Sequence, residues 1–253
     1  MISLLVAFQF LTILPSITRP GRIFSPVEMG RSVAFFPLVG LVLGGILLGI
    51  DSLLRYLLQP QLAAVLVVAA WLVLTRALHF DGFLDIFDGL FGGFTPERRL
   101  EIMKDSRVGA FGVAAGALLL FSKTFSIVDL VDRPAAFLLA PVLARWAMAV
   151  AIFAFPYARE KGLGREMKDN LGWLQVIFAS LLTLAVTWFL AGWWGLFLCG
   201  LILLVLVLAA RYMLRLLPGL TGDSYGLLCE LTELVVLVVF NMARVSISRG
   251  LAW

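Results

Sequence analysis

Long unbroken apolar runs, separated by short charged stretches, set the pattern of this chain. None alternates with a period of two, so the runs read as helices and exclude the strands of a membrane barrel. Residues 1–14 are apolar but too short to span a bilayer. Pro15 ends them, and Gln9 and Thr12 are the polar points of an interfacial or half-inserted helix. A first span is expected over 32–57, where Gly40, Gly44 and Gly45 permit close helix packing. After a tight turn at Pro60, a second span over 62–78 runs directly into a polar stretch. Further spans are expected over 109–130, 135–155, 171–190, 196–217 and 226–242. They are separated by a turn at 132–134, the charged segment 157–170, a turn at an aromatic interface over 192–195, and a glycine-containing loop over 218–225. The pattern predicts an all-α polytopic membrane helical bundle of about seven transmembrane helices plus the short N-terminal helix, folded as one domain over 1–253.

Composition makes lipid the solvent. The chain is 62% hydrophobic and 14% charged, whereas a soluble domain is nearer half apolar and a quarter charged. Only helices or closed barrels satisfy the backbone in lipid. The net charge of +4 then reflects loop topology and implies no nucleic-acid partner. With segment 81–108 placed in the cytoplasm, the loops 15–31, 81–108, 156–170 and 211–225 fall inside with thirteen Lys and Arg. The outside segments hold three, a strong positive-inside bias. Cys199 and Cys229 fall near opposite faces in this topology, so no disulfide is expected. The first residues lack the basic segment and small-residue cleavage site of a signal peptide.

Against this background, His79-Phe-Asp-Gly-Phe-Leu-Asp-Ile-Phe-Asp-Gly-Leu90 stands out. It carries the chain's single histidine and three carboxylates. On a helix, Asp81, Asp85 and Asp88 fall within about 60° of one another, with Gly82 and Gly89 forming a smooth stripe beside them. Three like charges on one face repel unless a cation sits there. A hard divalent ion is the economical answer, and Mg²⁺ is usual where phosphates are also present. A solvated helix end would not surround these carboxylates with Phe80, Phe83, Leu84, Ile86 and Phe87.

Asp223, on the 218–225 loop, together with Glu230 and Glu233 forms a second acidic group, costly in a membrane helix unless paired, protonated or metal-bound. These residues are candidates for the site, or else pair with Arg145, Arg211 or Arg215 to hold helices together. Arg98, Arg99, Lys104 and Arg107 flank the acidic stripe, with Asp105 among them. A cationic pocket beside Mg²⁺ suits a pyrophosphate-bearing substrate, although basic loops also serve topology and anionic lipid. Gly109 and Gly112 bracket a junction where phosphate oxygens could meet backbone N–H groups. Lys123, roughly 20 Å into its helix, either lines a substrate cavity or pairs with Asp51. Arg145 is a second buried cation, and Arg76 is placed to help hold phosphate. His79 points away from the Asp81 face, as a general base or as a hydrogen-bonding helix-end residue. No zinc set, Ser-His-Asp arrangement, Walker A sequence or dinucleotide fingerprint is present. Metal-assisted transfer of a phosphoryl-linked group is the chemistry that remains.

The block 79–93, followed by 97–112, resembles the cobalamin synthase (adenosylcobinamide-GDP ribazoletransferase) family. The resemblance extends to Phe8-Gln-Phe-Leu-Thr12, Phe36-Pro-Leu-Val-Gly40, Lys123, Arg145, and Thr221-Gly-Asp-Ser-Tyr-Gly226 with Glu230 and Glu233. Family members usually differ at Phe80, Ile86, Phe87 and Tyr225, all packing positions. The resemblance implies that adenosylcobinamide-GDP and α-ribazole, or its 5′-phosphate, give adenosylcobalamin, or its 5′-phosphate, and GMP. It also implies Mg²⁺ dependence and a bacterial inner membrane with the site facing the cytoplasm. On that reading Asp81, Asp85 and Asp88 hold the metal, Lys104 or Arg107 offsets the charge of leaving GMP, and Asp88 or Asp105 takes the hydroxyl proton. Two rivals are weighed. A CDP-alcohol phosphotransferase wants an Ala-Arg pair after its second Asp-Gly element, which this chain lacks. A transporter would spread its polar residues across the bilayer. The glycine faces 40/44 and 112/116 fit packing within one chain or between chains of a homo-oligomer.

Overall fold

The computed structural model describes residues 2–14, 24–130 and 132–248, with side chains to 242. Pro15, Arg19, Arg22, Arg249 and the side chain of Arg244 lie outside the described residues. The elements in order are α1 (Ile2–Leu11), α2 (Pro26–Ser32), α3 (Phe36–Leu57), α4 (Pro60–Leu74), α5 (Leu78–Gly92), α6 (Pro96–Ile102), α7 (Ala110–Val128), α8 (Arg133–Ala154), α9 (Leu163–Asn170), α10 (Trp173–Leu214) and α11 (Gly222–Ser248). A 3₁₀ turn, Val33–Phe35, joins α2 to α3. The described residues form no sheet, only an isolated bridge between Tyr157 and Leu220.

Among the described residues, five helices are long and apolar enough to cross a membrane, and α4 with α5 pass the same test as a pair bent by 92°. Helix α10 has 42 residues, about 63 Å if straight and twice the hydrocarbon thickness. It is not straight. Gly192 sits at φ 53, and the chain doubles back there. Thr187 Oγ1 lies 3.5 Å from Cys199 Sγ, a pair that a straight helix would hold about 18 Å apart. The two halves match the spans expected on either side of 192–195. Cys199 and Cys229 are buried free thiols.

Small residues set the crossings. A Cβ on Gly40 would stand 2.7 Å from the Pro141 carbonyl carbon, and one on Gly44 2.9 Å from Leu138 Cα. Both glycines therefore pack α3 on α8 inside one chain. Gly112 and Gly116 likewise face α5 through Asp88, Leu84 and Phe80. α8 is the central helix, with sixteen of its residues buried. Side chains cap two helices: Thr95 accepts from Arg98 N at the start of α6, and Asp132 accepts from Ala135 N at the start of α8.

The charged segments converge at one end of the bundle. Arg99 Nη1 donates to Leu216 O at 3.1 Å. Ala158 N and Leu220 N exchange backbone bonds with Leu220 O and Pro156 O, each 2.8 Å. Lys168 Nζ reaches Phe153 O. At the opposite end, Asp51 accepts from Arg133 at 2.6 and 2.7 Å and from Arg55 at 3.1 Å. Asp51 is thus not the partner of Lys123.

Three local expectations are corrected. The second span does not run straight into the acidic stretch. Arg76 and Ala77 take left-handed φ of 54 and 52, and α5 leaves at nearly a right angle. Arg76 is tied to the N-terminal helix, donating to Gln9 O at 2.6 Å and Phe10 O at 3.1 Å. This offsets the cost of two non-glycine residues in that region. The N-terminal helix does not lie free at an interface either: Val6, Ala7 and Leu11 are buried in the core. Finally, 218–225 is not all loop. α11 begins at Gly222, where Thr221 and Ser224 bond reciprocally through side chain and backbone (3.0 and 3.2 Å), a capping box built on a hydroxyl.

Candidate active site

Helix α5 carries the site because its faces differ. Phe83, Ile86, Phe87, Leu90 and Phe91 line an apolar cavity of about 360 Å³ against α7, α10 and α11. Asp81 is exposed and Asp85 half-buried on the polar side. Gly82 is the contact point with α11. A Cβ there would stand 2.8 Å from Asp223 Cα, and one on Gly226 2.7 Å from His79 O. Two glycines thus let the backbones touch, and Asp223 is delivered to the acidic face of α5. Asp85 feels the charges of Asp223, Asp81, Arg159 and Asp88. Asp223 is held by Arg159 Nη2 at 2.6 Å.

Two polar cavities flank this cluster. The first, about 270 Å³, is lined by Asp81, His79, Asp223, Arg159, Lys161 and Tyr225 among others. The second, about 400 Å³, lies between Asp88, Arg98, Asp105, Arg107 and the start of α7. In the second, Arg107 grips Asp105 at 2.7 Å and holds its carboxyl down at about 2. So weak a base is a poor proton acceptor near neutral pH. Arg98 pairs with Glu101 at 2.6 Å. Lys104 is exposed, and Arg99 is committed to the Leu216 carbonyl.

The expected single stripe of three carboxylates divides. Asp88 is buried, and its oxygens accept Gly109 N at 2.7 Å and Gly112 N at 2.8 Å. A carboxylate of the chain itself therefore occupies the helix start expected to receive phosphate. The companion glycine stripe divides as well: Gly82 faces α11, while a Cβ on Gly89 would meet Met103 Sδ at 2.9 Å beyond α6. Asp88→Ala is expected to cost about 1–3 kcal/mol by stripping the cap from α7. The check is a melting temperature in detergent lowered by several degrees.

Lys123, Arg145, Glu230 and Glu233 do not line either polar cavity. They form one sealed network. Lys123 Nζ bonds Glu233 at 2.6 Å and also Glu230, and Arg145 bonds Glu233. All four are at most 3% exposed, and Lys123 also lies 4.8 Å over the Trp71 ring. The network ties α7, α8 and α11 together, so this placement corrects the expectation of substrate-binding roles. His79 borders both regions. It is buried, lines the first cavity, and neither ring nitrogen has a hydrogen-bond partner among the described residues.

Sequence reasoning missed Arg159, Lys161, Tyr157 and Tyr225. For the first three the signal is Tyr157-Ala-Arg-Glu-Lys-Gly-Leu-Gly164, basic residues beside glycines.

Among the described residues no three His, Cys, Asp or Glu converge as a ready metal cage. Mg²⁺, however, usually binds through one or two carboxylates with substrate phosphates completing its shell. Asp81 and Asp85, one turn apart on the polar face of α5, supply that donor set.

The fold and site define a polytopic α-helical membrane protein with an acidic helix between two polar cavities at one end. The sequence matches the cobalamin-5-phosphate synthase family over residues 3–241. The chain belongs to that family, and so is an enzyme of cobalamin assembly. It is 41% identical to an adenosylcobinamide-GDP ribazoletransferase of Roseiflexus sp. (strain RS-1), over 94% of this chain and 88% of the relative. One from Desulforamulus reducens is 40% identical, over 96% and 97%. Another from Stutzerimonas stutzeri is 41% identical, over 94% and 97%. No solved structure matches the chain.

Proposed function

We propose that the protein joins adenosylcobinamide-GDP to α-ribazole, or its 5′-phosphate, releasing GMP, with Mg²⁺ as cofactor. The observation that carries this reading is that Asp81, Asp223 and Arg159 line one cavity, with Asp85 one turn along α5 from Asp81. Carboxylates next to a cation suit a metal ion with a pyrophosphate. Bound there, Mg²⁺ would neutralise phosphate charge and orient the phosphorus.

The rest is work for the side chains. Asp81 and Asp85 would hold the metal, and the cations facing the cavities bind and orient the phosphates. A ribose hydroxyl of the acceptor forms a bond to the phosphorus on the cobinamide arm. The bond from that phosphorus to the GMP oxygen breaks, and GMP leaves with the electron pair. The hydroxyl proton passes to Asp223, which lines the same cavity as Asp81. Asp88, occupied by two backbone donors, and Asp105, both of whose oxygens accept from Arg107, are left out of this step, whereas Arg159 and Thr221 engage only Oδ2 of Asp223. The charge bias of the loops favours a cytoplasmic site in a bacterial inner membrane.

Purified protein in detergent is expected to turn adenosylcobinamide-GDP and α-ribazole 5′-phosphate into GMP and the cobamide product only when Mg²⁺ is present, and chelation is expected to stop both. Mass spectrometry reads the two products. Release of CMP from a CDP-alcohol pair, without a cobamide, would instead make it a lipid synthase.

A further inference from the structure

The first cavity holds more unsatisfied polarity than its acidic rim explains. Tyr225 is 4% exposed and His79 2%. Both line the cavity, and the Tyr225 hydroxyl and both His79 nitrogens lack partners among the described residues. Buried polar groups are normally hydrogen-bonded, and leaving one unpaired costs about 1–3 kcal/mol. These atoms are therefore waiting for a ligand or for water. Arg159 Nε, buried next to them, is also unpartnered. Lys161, at the rim, makes no ion pair among the described residues. Tyr157 and Tyr225 stack, with ring centroids 6.1 Å apart and planes 25° from parallel, which gives the cavity an aromatic wall. At Gly164 a Cβ would fall 2.5 Å from the Tyr157 hydroxyl, so the glycine lets the chain close on that ring.

We propose that this cavity is the acceptor site, taking a flat heteroaromatic nucleoside whose 5′-phosphate is bound by Lys161 and Arg159. The proposal rests on the transferase reading above and says which of its two substrates goes where. Size supports the choice. A cavity of about 270 Å³ is at or below the small end of ligand pockets, about 300–1,000 Å³. It suits a nucleoside monophosphate and is too small for a corrin macrocycle. Polarity supports it too. The donors and acceptors of Tyr225 and His79 lie deep, where a ribose and base carry theirs, while the cations are nearer the rim. Asp81 and Asp223 border the same space, so a ribose hydroxyl of a nucleoside held here sits next to the carboxylates assigned to the transfer.

The test measures saturation by each substrate separately, with the full-length protein in detergent. Lys161→Met is expected to raise KM for α-ribazole 5′-phosphate about tenfold, the scale of one charge-assisted bond. It leaves KM unchanged for unphosphorylated α-ribazole and for adenosylcobinamide-GDP. Tyr225→Phe is expected to raise KM about three- to tenfold for both acceptors and not for the donor. A rise in donor KM instead, or no change with either variant, overturns the assignment. Calorimetric binding of α-ribazole 5′-phosphate alone, weakened by Lys161→Met, supports the cavity even if the wild-type protein makes no product. Absence of product would count against the transferase reading alone. Absence of any acceptor binding to the wild-type protein would overturn the acceptor site.

Discussion

Asp81→Asn is expected to lower kcat by about 10²–10⁴-fold, the range for removing a group that acts directly on the reacting centre. The change keeps the size and shape of the side chain and removes its charge. Asp81 is exposed on α5 and accepts no hydrogen bond from the described residues, so the melting temperature should stay within about one degree of wild type, as for other surface substitutions. The Mg²⁺ concentration giving half-maximal rate should rise as well, because Asp81 is one of only two carboxylates assigned to the ion. Wild-type turnover and wild-type Mg²⁺ response in this variant would remove Asp81 from the chemistry. The contrast with Asp88 is diagnostic. There a loss of stability is expected first, because that carboxylate holds the start of α7.

Glu233→Ala is the substitution with the largest expected effect on folding. Glu233 is the acceptor for both Lys123 and Arg145. Without it Lys123 keeps Glu230, but Arg145 is left fully buried with no carboxylate bonded to it. Removing one partner of a buried ion pair costs about 3–5 kcal/mol, enough to abolish most of a typical protein's stability. Yield of folded protein and melting in detergent are the readouts. Pairing Glu233→Leu with Arg145→Met should recover much of the loss, because it removes the unpaired charge as well as its partner. A Glu233→Ala protein that melts like wild type, with only a raised KM, would return these residues to the substrate site. No recovery in the double variant would show that the loss is not one of uncompensated charge.

Much of the architecture was legible in the chain. Helix type, the positions of the long spans and the turns at 132–134 and 192–195 follow from apolar runs and from glycine and proline chemistry, which act over a few residues. Asp81, Asp85 and Asp223 stand out in the sequence for a related reason. Carboxylates are so costly in an apolar chain that their presence demands an explanation. What a local pattern could not supply was partnership. Glu230, Glu233, Lys123 and Arg145 look like site residues by the same criterion of cost, yet their charges cancel one another where α7, α8 and α11 meet. Arg159 and Lys161 looked like topology markers until the segment after α8 was seen to fold over the start of α11.

The sequence by itself determined a membrane-spanning helical protein and marked its acidic helix, because solvent preference and the price of charge in lipid are properties of single segments. Only the tertiary structure decided which charges are paired. The bend of 92° after α4 and the glycine contact between α5 and α11 bring Asp223 to Asp81 and turn Asp88 onto α7. An ionisable group becomes available for chemistry only when its neighbours leave it unpaired, and those neighbours come from helices far apart in the chain.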